Sequence, residues 1–173
     1  AARLGIKFFD TADSYGNGSA EDALHDALYS YDGLIIATKG GYRHQRLGAW
    51  ETDTRPKHLR KALEGSLKRL KLEIIDLYQL HCADSRVPYA DSIGALVDMK
   101  NEGKIRHIGI SNVGITQLET ALRETEVVSV QNAFNVRHSW SVEVLNYCTE
   151  NNIPFLPWMP LGDGGISWID PTL

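Results

Sequence analysis

Polar residues that can take part in acid-base chemistry stand at the ends of short apolar runs in this chain. Six such runs occur, and four of them end on Asp10 with Tyr15, on Lys39, on His81 and on the pair Ser111 and Asn112. An ammonium group beside a tyrosine favours the phenolate form, which makes the hydroxyl a usable proton donor. When parallel strands alternate with helices in a barrel, functional residues collect on the loops at one face. The pattern therefore indicates an active site.

Each of these side chains has a candidate role and a structural alternative. Tyr15 is the candidate acid, Lys39 the charge that activates it and Asp10 the carboxylate that balances the ammonium, while His81 would hydrogen-bond a substrate oxygen. In isolation the structural alternatives are favoured, with Asp10 as a turn cap, Lys39 as a solvated strand end and His81 as a core histidine. A metal is not expected, since no other His or Cys lies at ligand spacing from His81 and Cys82.

Strand patterns and helix patterns alternate along the whole chain. The predicted strands are Ile6–Asp10, Gly33–Lys39, Ile74–His81, Arg106–Ser111, Val127–Gln131 and Ile153–Trp158. The helix patterns include one with Leu59, Leu63, Leu67 and Leu70 on a single face, and another that Ser19 and Asp22 open as a loose capping box. This alternation predicts an α/β fold with a parallel sheet.

Two parallel architectures compete for this pattern. A doubly wound sheet would carry a G-x-G-x-x-G turn after a strand, but the sequence GNG at 16–18 lacks the third glycine. Functional residues at the ends of many successive strands favour a (β/α)8 TIM barrel instead. Since such a barrel needs eight strands and the chain provides six, we expect a barrel truncated to about six βα units.

Composition excludes several classes of protein. The chain has 173 residues, of which 43% are hydrophobic and 23% charged, so residues 1–173 are expected to form a single domain. The net charge is −4 without a basic stripe, which argues against nucleic-acid or membrane-surface partners. Cys82 and Cys148 stand far apart and no apolar run is long enough to cross a membrane, so a cytoplasmic location is predicted.

Five short motifs resemble those of the aldo-keto reductases in content, order and spacing. They are DTADSYG at 10–16, ATKGG at 37–41, LYQLH at 77–81, IGISN at 108–112 and VQNAFN at 130–135. The resemblance implies a TIM barrel that reduces aldehydes or ketones to alcohols with NADPH, NADH being left open, and without metal. It assigns Asp10, Tyr15, Lys39 and His81 to the family's catalytic tetrad. It also places the six strands at barrel positions two to seven, which implies that both ends of the family fold lie outside residues 1–173.

The resemblance implies cofactor contacts as well. Ser111, Asn112 and Gln131 match the positions that bind the nicotinamide carboxamide, although a Ser-Asn pair after a strand is also a common turn. Trp158 matches the aromatic residue that stacks on the nicotinamide ring, and Leu161 and Gly162 would begin the loop over the pyrophosphate. Met159 departs from the family pattern by replacing a serine, which puts one polar contact in doubt.

The substrate is constrained only weakly. Trp50 lies in a long loop from Tyr42 to Arg55 and is expected either to shape the pocket for a small carbonyl compound or to pack on a neighbouring loop. The oligomeric state stays open. Two alternatives to a reductase are a cofactor-binding regulatory subunit, as in the cytoplasmic subunits of potassium channels, and an inactive fragment of such an enzyme.

Overall fold

The computed structural model describes residues 1–44 and 50–162. In chain order its strands and α-helices are β1 (Phe8–Asp10), α1 (Ser19–Leu28), β2 (Ile35–Gly40), β3 (Tyr42–His44), β4 (Trp50–Thr52), α2 (Pro56–Leu70), β5 (Ile75–Leu80), α3 (Tyr89–Asn101), β6 (Ile105–Ser111), α4 (Ile115–Glu124), β7 (Ser129–Ala133), α5 (Val142–Glu150) and β8 (Phe155–Trp158). Two short 3₁₀ turns, Ala2–Leu4 and Tyr15–Gly18, complete the described elements.

Six of the strands form one parallel sheet in the order β1-β2-β5-β6-β7-β8. The order follows the chain without reversal, and consecutive helices pack against one another on the sheet. A doubly wound sheet reverses its strand order at a switch point, whereas a barrel adds each strand beside the previous one. The prediction of a barrel arrangement with six βα units is therefore confirmed over the doubly wound alternative.

The helical leucine pattern packs as its spacing predicts. Leu59, Leu63 and Leu70 of α2 are completely buried in the core, and Leu67 is partly buried against it. The central strands β5 and β6 contribute continuous buried runs, as expected for strands covered on both faces. All six predicted strands are present, with ends that differ from the predicted ones by up to two residues.

Two local predictions were wrong. The segment between Tyr42 and Arg55 is not a plain loop, because β3 and β4 pair as an antiparallel hairpin. The capping box of Ser19 and Asp22 does not form, since α1 begins after Gly18, whose φ of 96° lies in the left-handed region. Glycine reaches that conformation at low cost, so the N-cap is Gly18, and Ser19 is the first residue of the helix instead of its cap.

No helix within the described ranges is long and apolar enough to cross a membrane. Nor do residues 1–44 and 50–162 contain a group of three or more His, Cys, Asp or Glu side chains that could hold a metal ion.

Candidate active site

Lys39 lies at the centre of a hydrogen-bond network at the carboxyl ends of β1 and β2. Its side chain is completely buried, and its Nζ donates to Asp10 Oδ2 at 2.5 Å and to the backbone oxygen of Thr11 at 2.8 Å. The same Nζ lies 3.4 Å from the Tyr15 hydroxyl. A buried ammonium needs a partner carboxylate, and Asp10 provides it. The structure thus brings Asp10, Tyr15 and Lys39 together.

Gln79 of β5 supports this network from the interior of the sheet. Its Nε2 donates to Asp10 Oδ1 at 2.8 Å, which satisfies the second carboxylate oxygen. The space for Gln79 depends on Gly109 in the adjacent strand β6. A Cβ at Gly109 would lie 3.0 Å from Gln79 Cγ and 2.5 Å from Ser129 Oγ, so a larger residue there would press on Gln79, which bonds Asp10.

His81 follows β5 and faces Tyr15. The two rings meet edge to face, with 5.7 Å between their centroids, and the His81 ring also contacts Tyr42 at 4.7 Å. Burial, reinforced by the positive charge of Lys39, lowers the pKa of His81 to about 3. His81 is therefore an uncharged imidazole at neutral pH, which can donate one hydrogen bond without carrying a charge.

A cavity of about 640 Å³ opens above these groups, and we refer to it as the strand-end cavity. Its lining residues are Tyr15, Tyr42, Trp50, His81, Ser111, Asn112, Gln131, Trp158 and Met159. None of these residues is an Asp, Glu, Lys or Arg, and five of them carry rings. The cavity therefore suits a largely apolar ligand that also offers a few polar atoms.

Ser111, Asn112 and Trp158 form a connected group on one wall of the strand-end cavity. Trp158 Nε1 donates to Asn112 Oδ1 at 3.0 Å, and Asn112 Nδ2 donates to the backbone oxygen of His81 at 3.0 Å. Ser111 Oγ donates to the backbone oxygen of Gln131 at 2.7 Å. Asn112 has a φ of 57°, which turns the chain sharply after β6 and brings its amide back towards His81.

The remaining predicted site residues occupy two different positions. Trp50 lies on the cavity wall, with its ring centroid 6.4 Å from that of Tyr15, and it also packs on Tyr42 at 5.5 Å. Leu161 and Gly162 are not part of that wall. Leu161 is 73% exposed, and Gly162 closes a turn by donating its backbone N–H to the oxygen of Met159 at 2.8 Å.

Sequence reasoning did not identify Tyr42 or Gln79 as site residues. Gln79 precedes His81 by two positions, and a polar residue inside an apolar strand was a signal that could have identified it. Tyr42 carries no comparable signal, because its place at the cavity depends on the hairpin that β3 and β4 form.

Comparison with known proteins gives a consistent assignment. Residues 1–169 match the Aldo/keto reductase family. An uncharacterized oxidoreductase of Schizosaccharomyces pombe is 44% identical over 164 residues, which cover 95% of this chain and 54% of that protein. A second protein of that yeast, named as an NADP(+) aldo-keto reductase, is 34% identical over 174 residues, covering 95% of this chain and 51% of its own length.

Solved structures support the same fold. The glycerol dehydrogenase of Gluconobacter oxydans superimposes with a TM-score of 0.86 at 30% identity, over 91% of this chain and 50% of that one. The six-stranded sheet therefore corresponds to part of a (β/α)8 barrel, and the chain spans about half the length of the relatives it matches. Related aldo-keto reductases bind NADP(H).

Proposed function

Since this chain belongs to the aldo/keto reductase family, we propose that the polypeptide carrying it reduces an aldehyde or ketone to an alcohol with NADP(H). Tyr15 acts as the proton donor in this proposal, assisted by Lys39, Asp10 and His81. The observation that carries the proposal is the contact of Lys39 Nζ with both Asp10, at 2.5 Å, and Tyr15, at 3.4 Å, because the Tyr15 side chain also lines the strand-end cavity.

Different residues of the chain assist different steps of carbonyl reduction. When bound, the nicotinamide supplies a hydride to the carbonyl carbon. Negative charge then develops on the carbonyl oxygen, and Tyr15 transfers its hydroxyl proton to that oxygen. The Lys39 ammonium stabilises the phenolate that remains, and Asp10 holds Lys39 in place. Tyr15 is 37% exposed, so water can return the proton after each turnover.

His81 orients the substrate in this scheme. Its ring lies edge to face with Tyr15, so an N–H of the neutral imidazole can reach an oxygen that also accepts from the Tyr15 hydroxyl. The lowered pKa of His81 keeps the ring uncharged beside Lys39. Two hydrogen bonds to one carbonyl oxygen hold the substrate for attack at its carbon.

The wall formed by Ser111, Asn112, Gln131 and Trp158 fits a nicotinamide. Gln131 is 8% exposed and lines the cavity, and its side-chain amide has no hydrogen-bond partner within the described part of the chain. A carboxamide offers one donor group and one acceptor, which complement an amide side chain. The Trp158 indole adds an apolar face for a planar ring. We propose that these four residues hold the nicotinamide end, with NADPH as the expected form.

A substitution of Tyr15 tests the proposal. In the polypeptide that carries this chain, Tyr15→Phe is expected to lower kcat for an aromatic aldehyde by roughly 10²-fold or more, because the proton donor is lost. The Kd for NADPH should change less than about twofold, since Tyr15 has no place among the proposed nicotinamide contacts. Tyr147→Phe, which removes a hydroxyl from α5, is the matched control and should keep full turnover. Unchanged turnover in Tyr15→Phe would contradict the assignment, and no turnover in the unsubstituted protein would contradict the reductase function.

A further inference from the structure

The hairpin of β3 and β4 supplies one wall of the strand-end cavity. Its described residues pair as Tyr42 with Thr52, Arg43 with Glu51 and His44 with Trp50. Tyr42 and Trp50 line the cavity, and their rings reach His81 and Tyr15. A two-stranded hairpin is at best marginally stable by itself, so its position depends on contacts with the rest of the protein.

Arg86 makes such contacts from the loop between β5 and α3. Its guanidinium donates to the side chain of Glu51 at 3.3 Å and to the backbone oxygen of Thr52. Both acceptors belong to β4, directly after Trp50. Arg86 thus connects the loop that follows His81 to the strand that carries the Trp50 wall.

Asp84 fixes the guanidinium of Arg86 in this orientation. Arg86 Nε donates to Asp84 Oδ1 at 2.9 Å and Nη2 donates to Oδ2 at 2.8 Å, while the Arg86 backbone N–H also donates to Oδ1 at 3.0 Å. The Asp84 side chain is 2% exposed, so its carboxylate is held rigidly. A bidentate arginine–carboxylate pair has a defined geometry that a lysine would not reproduce.

Asp53 anchors the base of the hairpin separately. Its backbone N–H donates to the oxygen of Gly41 at 2.8 Å, and its carboxylate accepts from Arg55 Nη2 at 2.6 Å. These contacts hold the residues that follow β4. Loss of Arg86 is therefore expected to loosen β4 around Trp50 without unfolding the hairpin.

We propose that Arg86 is a positioning residue that fixes the distance between the Trp50 wall and Tyr15, and that it thereby selects carbonyl compounds carrying a flat aromatic group. This inference rests on the proposed reductase function. An aromatic substituent offers a flat face to the rings of Trp50 and Tyr42 when β4 is held in place, whereas a short aliphatic aldehyde offers them little apolar surface. Arg86 therefore contributes to the binding of aromatic substrates and not to the chemical step.

Steady-state kinetics with two aldehydes test this role. For Arg86→Ala we expect KM for benzaldehyde to rise about fivefold or more, since about 1 kcal/mol of contact is lost. The KM for propanal, both kcat values and the Kd for NADPH should stay within about twofold. Arg86→Lys should behave like Arg86→Ala, because a lysine ammonium cannot make the paired Nε and Nη2 hydrogen bonds to Asp84. Arg106→Ala is the matched control, as the Arg106 side chain is also 59% exposed and also pairs with an aspartate.

A readout that does not depend on turnover separates the two proposals. The indole N–H signal of Trp50 in an NMR spectrum, assigned by Trp50→Phe, should shift in Arg86→Ala and stay in place in Arg106→Ala. An unshifted signal, or a benzaldehyde KM equal to that of the unsubstituted protein, would overturn the role of Arg86. If the unsubstituted protein shows no turnover but the Trp50 signal shifts in Arg86→Ala, the reductase proposal and the selection of aromatic substrates are both contradicted. The role of Arg86 in positioning β4 would still be supported.

Discussion

Replacement of His81 should change how the stability of the protein depends on pH. His81 is 6% exposed, and burial together with Lys39 lowers its pKa from 6.5 to about 3. The folded state therefore keeps the imidazole neutral, whereas the unfolded chain takes up a proton below pH ~6.5. Stability attributable to His81 is complete above that pH and is lost as the pH falls towards 3. Between pH 7 and pH 5 the loss amounts to about 2 kcal/mol, from ~1.4 kcal/mol for each pH unit below 6.5.

Urea unfolding at pH 7, 6 and 5 measures this effect in the unsubstituted protein and in His81→Gln. The difference in unfolding free energy between the two proteins should shift by about 2 kcal/mol in favour of His81→Gln as the pH falls from 7 to 5. The difference is the informative quantity because burial raises the pKa of Asp13 to about 7, which gives the opposite trend in both proteins. His107→Gln removes an exposed histidine and serves as the control. A difference between His81→Gln and the unsubstituted protein that is constant with pH would contradict the lowered pKa of His81.

Two further substitutions address the lysine and the cofactor wall. Lys39→Met should abolish aldehyde reduction and, unlike Tyr15→Phe, lower the unfolding free energy by about 1.5 kcal/mol, because the Asp10 carboxylate loses the hydrogen bond from its ammonium partner; equal stability in a urea titration would contradict this. Trp158→Ala should raise the Kd for NADPH about tenfold, since the ring face and the hydrogen bond to Asn112 are both lost. Trp140→Ala is the control, because the Trp140 indole is 70% exposed and lies outside the strand-end cavity, and its Kd for NADPH should be unchanged. Equal NADPH affinities in Trp158→Ala and Trp140→Ala would contradict the role of Trp158.

The six parallel strands and the proximity of Asp10 and Tyr15 to Lys39 could be predicted because each rests on a local signal. Parallel strands covered on both faces appear as continuous apolar runs, and the charged residue at the end of such a run requires a partner close by. The hairpin could not be predicted in this way, since the residues of β3 and β4 lack an apolar alternation. Arg86 was not recognised either, because its contacts with Thr52 and Glu51 join segments more than thirty residues apart. The cytoplasmic location remains a prediction.

Transfer of deuterium shows directly whether the hydride comes from NADPH and the proton from Tyr15. The polypeptide that carries this chain would be incubated with benzaldehyde and with NADPH that carries deuterium at both C4 positions, beside its Tyr15→Phe variant. We expect deuterium on the alcohol carbon of the product in the unsubstituted protein and almost no product in the variant. Unlabelled alcohol, or equal product from both proteins, would contradict the proposal that Tyr15 completes a hydride transfer from NADPH.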